Sequence, residues 1–115
     1  MSTSYNSRLI DKLYQENDAL KATRIVDEMI EIGEAIFVYP IYSAYKKFKN
    51  TSYSHYFISD LTELASKEET KKEAEIIIKE LLEEQDIDSA HIYYLVEFCI
   101  KNKYNVANFQ RQAEI

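Results

Sequence analysis

The chain is read as an all-α domain of antiparallel helical hairpins stacked as a short α-solenoid of about six to seven helices. Three observations lead there. Apolar residues recur at helical spacing along nearly the whole length, and the breaks between these segments are only a few residues long. One glycine and one proline cannot serve the many tight turns of a β-sandwich or barrel. The 115 residues, 46% hydrophobic and 30% charged, fit one globular domain spanning residues 1–115. A chain of this size can bury about two thirds of its unfolded surface, so a real core is possible.

The first helix is expected over residues 4–15, on the Tyr5, Leu9 and Leu13 stripe. Asn17 or Asp18 can cap the second, which carries Ala22, Ile25, Val26, Met29 and Ile30 and stops near Gly33. The third shows Phe37, Ile41, Ala44 and Phe48 on one face. Pro40 falls early in it, where a missing N–H costs least, but would kink a helix that began at Ala35. After Asn50, Thr51 and Ser52 a fourth helix follows on Tyr53, Phe57, Leu61 and Leu64. Ser66 and Glu69 have capping-box spacing and mark the start of a fifth, whose apolar face is Ala74, Ile77, Ile78, Leu81 and Leu82. The sixth runs from about Ser89 to Lys101, and Asn105 can cap a short seventh on Val106, Phe109 and Ala113.

Short connections make neighbouring helices antiparallel, so the elements pair into hairpins. These begin near Tyr5, near Ala35–Phe37 and near Glu69, a spacing of pattern rather than of identical residues. Ile76, and the row His91, Tyr94 and Phe98, lie across from the main apolar stripes of their helices. Apolar residues on two sides suit helices sandwiched inside a stack, or equally a closed bundle.

Residues 22–45 resemble a HEAT-repeat junction. Ile32-Gly33 closes a helix, Ala35-Ile36 supplies a small residue and an apolar pair, and Pro40-Ile41 enters the next helix. Phe37-Val38-Tyr39 precedes the proline where the repeat favours a shorter link. The resemblance covers about one repeat; the other hairpins share its length and helix pattern. It implies a HEAT-like α-solenoid that acts as a binding scaffold for other proteins, without a particular chemistry.

Motifs for catalysis are scarce. One glycine cannot spell a dinucleotide or P-loop fingerprint. No H-E-x-x-H or C-x-x-C occurs, and no cofactor is expected. Ser54 and His55 adjoin, but neighbours on a helix point about 100° apart, and no acid is placed to orient the imidazole. Asp86, Asp88 and His91 form the one D-x-D-x-x-H run. It could serve a small metal-binding or enzymatic helical protein, or could simply set carboxylates at a helix N-terminus. The lone Cys99 sits among apolar neighbours and reads as a small buried hydrophobe. No apolar run approaches the ~20 residues of a membrane span, and the polar N-terminus has no signal-peptide core. A cytoplasmic protein is expected.

Charge is unevenly spread. Residues 1–34 carry −3, residues 35–59 carry +3 with no acid at all, residues 60–88 carry −7, and the remainder +1, for a net −6. The acid-free hairpin also holds five of the ten tyrosines. Tyr39, Tyr42 and Tyr45 flank or oppose the expected core face, and Lys46, Lys47 and Lys49 follow. Either neighbouring hairpins cover these rings, or they form a partner-binding patch, since a tyrosine can bury its ring and keep its hydroxyl wet. These six residues are the candidate contact surface, suited to an acidic or amphipathic protein. Three lysines in an acidic chain argue against nucleic acid. The expected role is a non-catalytic interaction module or scaffold, of which an inhibitor or immunity-type binder is one example. Monomer and homo-oligomer both remain open.

Overall fold

The computed structural model describes residues 2–84 and 89–101. Six α-helices follow in order: α1 (Ser2–Gln15), α2 (Ala19–Ile32), α3 (Val38–Phe48), α4 (Ser54–Ala65), α5 (Lys71–Glu83) and α6 (Ser89–Lys101). No strand occurs among the described residues. The seventh helix expected from Asn105 lies outside them.

Local chemistry sets the boundaries. The Asp18 carboxylate accepts the Leu20 N–H (3.1 Å) and starts α2. Gly33 ends it in the left-handed region (φ 72°), and its N–H donates to the Met29 carbonyl (2.9 Å). The proline question is resolved by a single 3₁₀ turn over Ala35–Phe37 that leads into α3. Pro40 is thereby the third residue of the α-helix, in the turn whose N–H groups have no intrahelical acceptor.

The capping-box expectation fails. Ser66 closes α4 instead, its hydroxyl donating to the Glu63 carbonyl (2.7 Å), and α5 starts at Lys71. A serine hydroxyl reaches an orphan carbonyl of a last turn as readily as an N–H of a first turn, so spacing alone did not tell the two apart. Thr70, fully buried before α5, spends its hydroxyl on the Leu64 carbonyl.

The helices pack in sequence. Each hairpin is closed by its own two helices, α3 also packs on α1 and α5, and α4 on α2 and α6. Odd-numbered helices therefore form one layer and even-numbered helices the other, in a slab with Cα extents of 44 × 30 × 16 Å. The smallest extent matches two helix layers 8–10 Å apart. This is the short solenoid arrangement.

One apolar core runs through the slab, from Leu9 and Leu13 through Val26, Met29, Phe37, Ile41 and Phe48 to Phe57, Leu61, Ile77, Leu81, Leu95 and Cys99. Phe48 and Phe57 stack between α3 and α4 with ring centroids 5.9 Å apart. Burying each such side chain is worth about 1.5–3 kcal/mol over leaving it in water. The second apolar rows are corrected by the structure. Ile76 is 48% exposed and Tyr94 45%, while His91 and Phe98 are only half-buried. In a two-layer slab the outward side of a helix meets water whatever its place in the stack, so Ile76 is not sandwiched.

Candidate interaction surface

The α3 helix lies in the middle of the odd layer and distributes its side chains unequally. Val38, Ile41, Ala44, Tyr45 and Phe48 enter the core, and Tyr42 turns toward α5. Tyr39 and Lys46, two turns apart, point outward.

The Tyr42 ring is only 4% exposed. Its hydroxyl donates to Glu84 Oε1 at 2.6 Å, and Lys46 Nζ lies 4.2 Å from the ring centroid. Burial, the bond to Glu84 and the charges of Glu84 and Glu80 all raise its pKa, so the phenol stays protonated. Tyr45 is 1% exposed and meets α6, its hydroxyl 3.4 Å from His91 Nδ1 and the rings edge-to-face at 5.9 Å. Both tyrosines thus join the second hairpin to the third.

The lysines divide as well. Lys47 donates to the carbonyls of Tyr14 (3.2 Å) and Glu16 (2.6 Å), placing a cation on the C-terminal end of α1. Lys49 is half-buried in the turn after α3. Of the six residues nominated from sequence, Tyr39 and Lys46 are directed outward, Lys47 is exposed but fixed to α1, and Tyr42 and Tyr45 lie inside the slab.

Two residues that the sequence reading noted but did not place in the contact surface complete the outward side. Ile36, in the 3₁₀ turn, is 51% exposed, beside Tyr39 at 56% and Ile76 on α5 at 48%. The Tyr42–Glu84 bond fixes the height of α3 against α5, and the two helices run parallel because each short connection reverses direction. Ile76 consequently falls about one and a half turns below Tyr39 and within one turn of Ile36. The apolar spot has Lys46 toward the C-terminal end of α3 and exposed Glu80 and Glu83 toward that of α5. The wheel position of Ile76, across from the main apolar stripe, was the available signal; it reads equally as a sandwiched face, and the exposure of Ile76 decides for an outward one.

Elsewhere, groups that could do chemistry are separated or occupied. Ser54 is buried while His55 is exposed, tilted on Tyr56 with centroids 4.2 Å apart. Asp86 and Asp88 of the D-x-D-x-x-H run lie outside the described residues, and His91 packs on Tyr45. No group of three or more His, Cys, Asp or Glu that could hold a metal ion occurs among the described residues. Burial pushes the Cys99 thiol up to about 11, as fits a core residue rather than a nucleophile. Burial, with the charges of Asp27 and Glu63, pushes the Asp60 carboxyl up to about 7. An open depression of about 170 Å³ on α6 is lined by Tyr94, Glu97, Phe98 and Lys101. No helix among the described residues is long and apolar enough to cross a membrane.

No family model, curated protein or solved structure matches the chain.

Proposed function

We propose that this chain is a non-catalytic protein-interaction module of the HEAT-like helical-repeat type, acting in the cytoplasm. The observation that carries the reading is the outward surface of Ile36, Tyr39 and Ile76 beside Lys46, on a slab whose other chemistry-bearing groups are dispersed among the described residues. Within the region nominated from sequence, Tyr39 and Lys46 make the contact. Tyr42, Tyr45 and Lys47 hold α3 in place beneath and beside them. An acidic or amphipathic protein suits this surface: apolar groups cover the isoleucines and the tyrosine ring, and a carboxylate meets Lys46. Inhibition of a target by such masking, as an immunity-type binder does, is one use of the surface.

The test is affinity capture with the wild-type chain and with Tyr39→Ala combined with Lys46→Glu. Proteins retained by the first and lost at least tenfold from the second, with helical circular dichroism and melting unchanged, support the reading. Equal retention by both places the contact elsewhere.

A further inference from the structure

The charge pattern around the apolar spot is complementary to itself, and we propose that the partner this surface fits is a second copy of the same chain. The inference rests on the interaction reading above and names its partner.

Consider a two-fold axis lying in the surface, parallel to the helices and midway between α3 and α5. Rotation about it sets α3 of one copy on α5 of the other and preserves heights along the helices. Lys46 sits one turn beyond Tyr42, and Tyr42 reaches Glu84, so Lys46 stands about one turn past the C-terminal end of α5. Reaching back along the helix direction, its long side chain would meet that of Glu83 of the second copy, with Glu80 one turn below. Tyr39 and Ile36 would cover Ile76 of the second copy. The symmetry repeats each contact, giving two lysine–glutamate contacts around one apolar centre.

An axis perpendicular to the helices lacks this match. It would lay α3 on α3 in reverse and bring Lys46 over the apolar Ile36 end. Parallel to the helices is the arrangement in which opposite charges and apolar groups pair together.

Both acids and the lysine are available for such contacts. Glu80 and Glu83 are exposed and have no hydrogen bond or ion pair among the described residues, and Lys46 has only its ring contact with Tyr42. The exposed aromatics of the even layer differ: Tyr56 stacks on Tyr53 and has His55 tilted against it, and the Tyr94 hydroxyl lies 3.5 Å from the Ser59 and Thr62 hydroxyls.

Charge exchange tests this geometry directly. Mass would be measured by sedimentation equilibrium from low to high micromolar chain, for wild type, Lys46→Glu, Glu83→Lys, the double variant, and an equimolar mixture of the single variants. The proposal expects a wild-type dimer, at least tenfold weaker association of each single variant, and recovery in both the double variant and the mixture. In the mixed pair both lysine–glutamate contacts have opposite signs again. A wild-type monomer at every concentration overturns the proposal. So does weakening without recovery, or dimerisation indifferent to all the substitutions. Glu83→Lys alters only an exposed group, so its result stands even where Lys46→Glu disturbs Tyr42. A monomeric wild type that still loses captured proteins on Tyr39→Ala would remove the second copy as partner while leaving the interaction reading intact.

Discussion

The two outer sides of the slab both display aromatic and apolar groups, but they use them differently. On the even side, Tyr53 and Tyr56 stack with centroids 6.1 Å apart, His55 tilts on Tyr56, and Tyr94 leans to the hydroxyls of α4. On the odd side, the Ile36, Tyr39 and Ile76 side chains have no ring contact, and the Tyr39 hydroxyl no hydrogen bond, among the described residues. Comparable exposure therefore carries different meaning. Apolar surface already engaged by its own chain gains little from a partner, whereas uncommitted surface beside separated charges gains the area it removes from water.

Substitutions can break this contrast or sharpen it. The largest effect belongs to Tyr45→Ala, which should cost about 3–5 kcal/mol and lower the melting temperature by roughly 10–20 °C. Tyr39→Ala should stay within about 0.5 kcal/mol of wild type in the same denaturation series. Equal losses would mean that Tyr39 is also a packing residue.

On the even side, Asp60 is the place where burial is unfavourable to charge. Its pKa rises from an ordinary carboxylate value near 3.8 to about 7 in the folded chain. Below about pH 4 the carboxyl is protonated whether folded or not. Between about pH 4 and 7 the folded chain keeps a proton the unfolded chain has released, so stability falls as pH rises and levels off above that window. Asp60→Asn should flatten the fall and add about 1–2 kcal/mol at pH 8, less than the full shift implies because the carboxyl keeps contact with water. Urea midpoints from pH 4 to 8 read this out.

Two smaller effects concern how α3 is held and how α2 ends. Tyr42→Phe keeps the ring under Lys46 but removes the bond to Glu84, for an expected loss of about 1–2 kcal/mol. Gly33→Ala forces a side chain into a backbone conformation with φ 72° and should cost about 1 kcal/mol, measured by urea midpoint.

Much of the fold was legible because helical periodicity reports which face is buried. The Leu9–Leu13 stripe, the Ile77–Leu81 face, the Asp18 and Gly33 ends and the Ser89–Lys101 span all agree with the structure. What periodicity could not report was the number of neighbours around each helix. Tyr42 lies about 100° from Ile41 and looks peripheral on a wheel, yet α5 covers it. Ile76 looks sandwiched by the same reasoning, yet it stands exposed among the described residues. Asp60 and Asp27 interact only because α4 packs on α2, a contact absent from any window of sequence. The candidate surface was therefore legible as a charge anomaly with tyrosines in it, but the division into outward and buried side chains was not.

The claim that the odd side is the docking side is tested most directly by photo-cross-linking. A benzophenone amino acid would replace Tyr39 in one variant and Tyr56 in another, two positions of similar exposure on opposite layers. Irradiation should give cross-linked adducts, whether with a second copy or another protein, from position 39 and not from position 56. Adducts confined to position 56 would contradict the account.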